Sequence, residues 1–285
     1  MSKKVKIVDC PRDAMQGIHD FIATDDKIDH LVKLLHVGFE TIDAGSFVSS
    51  KIIPQMADSA EVLNAVLDIE HTSKLSVIIA SEGGADQAMK HSNVDLLGFP
   101  FSISEQFQHD NTHKSQEEAF ECIQTIQKNL EGTDKELLIY FSMAFGNPYG
   151  DEWSVDLVKE WTKRFADIGI KRINLSDTTS VAHTEDVEEL FKTLIPKYPE
   201  IEIGAHFHSE YNGWFPKVDA AYRNGCLRFD GAIKGYGGCP MAKNDLVGNV
   251  PTEKLITYAE RVGAEHGLDM FAFESAYNSA MKVMG

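Results

Sequence analysis

Short apolar runs alternate with amphipathic stretches along the whole chain. The apolar runs are rich in β-formers, and they predict strands at 5–10, 41–47, 75–80, 94–101, 137–145, 172–177, 202–208 and 228–233. Between them the apolar positions fall at helical spacing, which predicts helices near 25–37, 58–71, 84–91, 115–130, 154–168, 184–197, 216–224 and 251–266. Ile28, Leu31, Val32, Leu34 and Leu35 form one such stripe, and Val155, Leu157, Val158, Trp161 and Phe165 form another. Asp25, Ser115, Ser154, Thr184 and Thr252 stand where helix starts are expected. Several strands are apolar along most of their length, as in sheets covered on both faces. Eight strand–helix units in strict alternation predict an α/β (β/α)8 TIM barrel, with a doubly wound open sheet as the alternative. A barrel places all of 1–285 in one catalytic domain, with 267–285 as a C-terminal helical extension that packs on the barrel or makes a homodimer contact.

Composition adds little to the fold but excludes several functions. With 43% hydrophobic and 25% charged residues, a large core is available. A net charge of −17 argues against nucleic acid as a partner, since a nucleic-acid binder needs a basic face. No apolar run is long enough to span a membrane, and no leader-like segment opens the chain, so the expected compartment is the cytoplasm. The four cysteines, Cys10, Cys122, Cys226 and Cys239, form no C-x-x-C pair, which fits a reducing compartment.

In a barrel the chemistry gathers at the C-terminal strand ends, so those ends carry the candidates. The first strand runs into "DCPRD", where Pro11 should break it and leave Arg12 and Asp13 at the rim. The second ends with Asp43 and Ser46, and the seventh with "AHFH". Residues two apart on a strand share a face, so His206 and His208 look the same way and can share a divalent cation. Asp13, His206 and His208 therefore form a candidate ligand set for a cation such as Mg²⁺ or Mn²⁺, acting as a Lewis acid. Arg12 beside them is a donor for a developing enolate oxygen, or else half of a surface ion pair. Asp43 is a proton carrier or a turn residue, and Ser46 a candidate substrate contact. The loop "GYGGCP" either carries the Cys239 thiol into a closed site or is a turn around a small buried cysteine.

The stretches "VKIVDCPRDAMQG", "TIDAGSFVSSKIIPQMAD", "NLSDT", "AHFH" and "GGCP…GN" resemble, in order and spacing, the 3-hydroxy-3-methylglutaryl-CoA lyase family of the DRE-TIM metallolyases. The resemblance covers nearly the whole chain, and "SFVS-K-x-x-PQM-D" is its most specific part. It implies a (β/α)8 barrel that holds Mg²⁺ or Mn²⁺ and cleaves an acyl-CoA substrate by a retro-Claisen reaction to acetyl-CoA and acetoacetate. It also implies Asp13, His206, His208 and Asn249 as metal ligands, Arg12 as the enolate stabiliser and Cys239 as a proton shuttle. Gln16 and Asp177 match substrate-site positions of the "RD-x-x-Q" and "DT" motifs. The chain departs from the family pattern in Asp43, where glutamate is usual, in Ser209, where aspartate is usual, and in Asn147. A carboxylate one methylene shorter loses ~1.5 Å of reach. One extra residue separates Cys239 from Asn249. The competing readings are a Claisen-condensing enzyme, an aldolase of the same superfamily, and a barrel that binds a ligand without turnover.

Overall fold

The computed structural model describes residues 3–210, 212–238 and 247–285. Its parallel strands are β1 (Lys6–Asp9), β2 (Thr41–Ser46), β3 (Lys74–Ile78), β4 (Leu96–Ser102), β5 (Glu136–Ser142), β6 (Arg172–Asp177), β7 (Glu202–Ser209) and β8 (Arg228–Gly231). Each pairs with its successor, and β8 returns to β1 in register from Lys6↔Arg228 to Asp9↔Gly231. That pairing closes the sheet into a (β/α)8 barrel and excludes the open doubly wound alternative. A short β9 (Gly248–Asn249) runs antiparallel to the end of β7.

The helices are α1 (Pro11–Gln16), α2 (Thr24–Val37), α3 (Ser59–Ala65), α4 (Glu82–Ala88), α5 (Glu105–Thr112), α6 (Gln116–Asn129), α7 (Val155–Asp167), α8 (Thr184–Lys197), α9 (Trp214–Arg223), α10 (Thr252–Arg261) and α11 (Met270–Met284). Ser115 caps α6 in a reciprocal box with Glu118, and Ser154 caps α7 by accepting from the Leu157 N–H. The other three expected starts differ. Asp25 lies inside α2, which Ala23 precedes, and Thr184 and Thr252 are first helical residues rather than caps. The Thr252 hydroxyl is otherwise engaged: it donates to Asp9 Oδ1 at 2.6 Å.

Between sheet and helices the core is apolar. Phe101 packs against Trp161 and Phe165 with ring centroids 4.5 and 5.0 Å apart, locking α7 onto β4. At the N-terminal mouth of the barrel an alternating ion network joins the strands. Glu202 takes Lys6 and Arg172, and Arg172 also donates to Glu136 at 3.0 Å. The tail helix α11 packs along α2: Lys282 pairs with Asp26 at 2.8 Å, and Phe273 meets Phe39 edge-on. Phe271 on its outer face is 90% exposed. No helix among the described residues is long and apolar enough to cross a membrane.

Candidate active site

The site begins where β1 ends. Pro11 occupies the first position of α1, where its missing N–H would be unpaired in any case. The chain therefore turns from strand into helix with no intervening loop. Arg12 and Asp13 sit in the first turn of that helix, not on an open rim as the strand-breaking reading expects. Gln16, one turn on, donates to Asp13 Oδ1 at 2.8 Å and accepts from Arg12 Nη1 at 2.7 Å.

His206 and His208 come from β7 and share its inner face, with ring centroids 5.0 Å apart. One ligand atom each from Asp13, His206 and His208 lies within 4.8 Å of the others, and all three side chains are buried. Asn249 reaches the same point through β9, whose register pairs it directly with His208. Its Nδ2 donates to Asp13 Oδ2 at 2.6 Å, and its Oδ1, also buried, has no hydrogen-bond partner among the described residues. Gly248 is required for this approach, because a Cβ there would lie 2.1 Å from the Gly235 carbonyl oxygen.

His206 is tied by one nitrogen: its Nδ1 lies 3.3 Å from Asp230 Oδ2. Such an outer partner fixes the ring and leaves the second nitrogen for a ligand. His208 Nδ1 is buried with no hydrogen-bond partner among the described residues. Burial would raise the pKa of Asp13, but Arg12, both histidines and the Asn249 amide outweigh it and hold the carboxyl at about 2. Burial pushes His208 down to about 4, with His206 adding to the effect, so the ring is neutral at ordinary pH. Burial also disfavours a charged His206, yet the hydrogen bond and charge of Asp230 prevail and lift its pKa. One ionised carboxylate, two imidazoles and a free amide oxygen suit a divalent cation.

Arg12 is gripped from behind. Its Nε and Nη2 donate to Asp43 Oδ2 at 2.9 and 2.5 Å, and Nη1 donates to Asp13 Oδ1 at 3.1 Å. Burial alone would lower the pKa of Arg12, but the two carboxylates keep the guanidinium charged. Burial pushes the Asp43 carboxyl up, against the pull of Arg12.

A cavity of about 150 Å³ opens over this cluster. Arg12, Asp13, Gln16, His206 and His208 line it, and next to His206 the wall carries Tyr140, Ser142, Ser176 and Thr178, with Ser176 paired to His206 in register. Several sequence candidates stand elsewhere. Asp43 is absent from the lining, fully buried behind Arg12. Ser46 accepts from the Val48 N–H at 3.1 Å and shapes the turn after β2. Asp177 faces outward from β6, where it accepts from Lys217 and from the N–H groups of Val181 and Ala182. Cys239 lies outside the described residues. The sequence reading omitted Lys217, Asp230 and the wall of Tyr140, Ser142, Ser176 and Thr178. Strict alternation along β5 and β6 was the available signal for that wall.

The HMGL-like family model matches residues 4–279. A mitochondrial hydroxymethylglutaryl-CoA lyase of Macaca fascicularis is 31% identical over 271 residues, covering 95% of this chain and 82% of that protein. A hydroxymethylglutaryl-CoA lyase of Bacillus subtilis is 28% identical over 99% of this chain and 94% of its own. Among solved structures, an HMG-CoA lyase from Acinetobacter baumannii in complex with coenzyme A and 3-methylmalate superposes with a TM-score of 0.90 at 29% identity, covering 99% of this chain and 92% of that one. With this match along nearly its full length, the chain belongs to the HMGL-like family and is a carbon–carbon lyase.

Proposed function

We propose that the enzyme cleaves 3-hydroxy-3-methylglutaryl-CoA, or a close hydroxyacyl-CoA, to acetyl-CoA and a ketone, with Mg²⁺ or Mn²⁺ held by Asp13, His206, His208 and Asn249. The observation that carries this reading is the convergence of the Asp13, His206 and His208 ligand atoms beside Arg12 in one cavity. The coenzyme A bound to the Acinetobacter lyase supports an acyl-CoA as the substrate class. The free thiols of Cys10, Cys122 and Cys226 support a reducing, cytoplasmic setting.

When bound, the cation supplies Lewis acidity to substrate oxygens. The protein supplies the rest. Cleavage turns the acetyl half into an enolate, whose charge develops on the thioester oxygen. A guanidinium has five N–H groups, and hydrogen bonds from four of them are accounted for among the described residues, so Arg12 keeps one for that oxygen. Asp43 contributes by holding the guanidinium in place, so its reach is spent on Arg12 and not on substrate. Asp13 stays ionised at any physiological pH, and Gln16 and Asn249 fix its two oxygens. As the C–C bond breaks, the tertiary hydroxyl gives up its proton and becomes the ketone, and the Cys239 thiol gives a proton to the enolate carbon, its thiolate being restored to the thiol by the proton released from the hydroxyl. Chelator-stripped protein given the methylglutaryl thioester should release acetyl-CoA only after Mg²⁺ or Mn²⁺ is restored. Acetyl-CoA consumed in the presence of a 2-oxoacid, or no turnover by protein that binds Mn²⁺, refutes the reading.

A further inference from the structure

Beneath the Asp13–His206–His208 cluster the barrel interior holds a second convergence of donor atoms. Cys10 Sγ, a ring nitrogen of His206 and a carboxylate oxygen of Asp230 lie within 4.8 Å of one another. Cys10 follows β1, Asp230 lies on β8 and His206 on β7, so three adjacent strands deliver them. Their side chains are buried, with residue exposures of 0%, 2% and 8% respectively. Asp230 spends Oδ2 on His206 and on the Asn174 amide, which donates at 2.7 Å. Its Oδ1 has no hydrogen-bond partner among the described residues, and Arg228 Nε stands 3.8 Å away. A carboxylate oxygen that faces Arg228 without a hydrogen bond, beside a thiol in a closed core, calls for a reason. Burial, with the neighbouring carboxylates adding to it, keeps the Cys10 thiol protonated, so an ion must displace that proton to use the sulfur. Thiolate, imidazole and carboxylate together form a softer donor set than the one above it.

We propose that Cys10, His206 and Asp230 form a second cation site, selective for thiophilic divalent ions such as Zn²⁺ or Cd²⁺, that shares His206 with the upper site and competes with it. Binding exchanges the thiol proton, released to solvent, for a metal–sulfur bond, with no change of oxidation state. It also breaks the link between His206 and Asp230 that orients the ring. Thiophilic ions therefore inhibit the enzyme by turning His206 out of the orientation that the upper cluster needs.

The test is a Cd²⁺ titration of the metal-stripped full chain, followed by the ultraviolet charge-transfer band of a cadmium–thiolate bond. This readout is independent of turnover, so it stands or falls separately from the lyase reading. The band should saturate near one equivalent, persist in Cys122→Ser, Cys226→Ser and Cys239→Ser, and vanish in both Cys10→Ser and Cys10→Ala. Should the Cys10 variants fail to fold, Asp230→Asn decides, with Cd²⁺ affinity expected to fall about tenfold or more. Excess Mn²⁺ should raise the Cd²⁺ concentration at half-saturation. A band that survives loss of Cys10, disappears with Cys239→Ser, keeps full affinity in Asp230→Asn, or ignores Mn²⁺ overturns the site.

Discussion

At the scale of single residues, the site is a competition for charge in a buried space. Arg12 is 7% exposed and faces two carboxylates, so replacing it does two things. It removes the donor for the developing enolate oxygen, and it leaves Asp43 without its cation. We expect Arg12→Gln to lower kcat by about 10²–10³-fold, the effect of losing one such donor, while Mn²⁺ still binds by titration calorimetry. A near-normal kcat would remove Arg12 from the chemistry. Lys217, on α9 and reaching β6, poses the same problem elsewhere in the barrel. It pairs with buried Asp177 and reaches Ser180 Oγ at 3.0 Å. Lys217→Ala should destabilise the fold by about 3–5 kcal/mol in urea, because it strands a buried charge. Adding Asp177→Asn should recover most of that loss, and an additive double variant would refute the pairing. His206 and His208 were legible from their spacing on one strand, and Arg12–Asp13 from their place after the first strand. Asp43 was legible as a site residue, but its attachment to Arg12 depends on depth, which strand alternation does not encode. The same alternation, applied to Asn174, Ser176 and Thr178, turns Asp177 outward.

At the scale of elements, eight strands and their covering helices could be read because each has a strong local period. Three pieces could not. α1 hides in "PRDAMQ", where Pro11 reads as a strand breaker and is in fact the first residue of a helix. α5, at Glu105–Thr112, is polar on most of its positions and places Asn111 and Thr112 at the cavity. β9 has two residues, and only its tertiary pairing with β7 defines it. That pairing also explains how Asn249 reaches the cluster although its distance from Cys239 departs from the family spacing. Gly248→Ala tests it. The added methyl meets the Gly235 carbonyl oxygen, so β9 must leave its register with β7 and take Asn249 with it. Mn²⁺ affinity should fall about 10–100-fold, the usual consequence of losing ligand support, while the circular dichroism spectrum stays that of the folded barrel. Unchanged Mn²⁺ affinity would show that Asn249 is not needed for the cation.

At the scale of the whole molecule, stability must change with pH because several buried groups do not titrate at their ordinary values. His30 on α2 is 1% exposed, and neither ring nitrogen has a partner among the described residues. Burial pushes its pKa down from 6.5 to about 4. In the unfolded chain the ring takes up a proton as pH falls through ~6.5, whereas the folded protein resists protonation until ~4. The unfolded state therefore binds more protons across that window, and stability is complete above it and drains away as pH falls. Asp13 acts in the same direction lower down: its folded value of about 2 lies below the ordinary 3.8, so its contribution is lost only in stronger acid. Asp9 opposes both, because burial raises it to about 7, and its contribution fades as pH rises from 3.8 toward that value. Between ~pH 7.5 and ~pH 5, His30 alone accounts for about 2 kcal/mol of lost stability. His30→Leu removes the titrating ring and keeps the site filled, so urea unfolding of this variant should lose about 2 kcal/mol less than the wild type between those two pH values. The comparison is a difference of differences, so the other histidines and the surface carboxylates cancel. Identical losses in the two proteins would mean that His30 is solvated or partnered in solution.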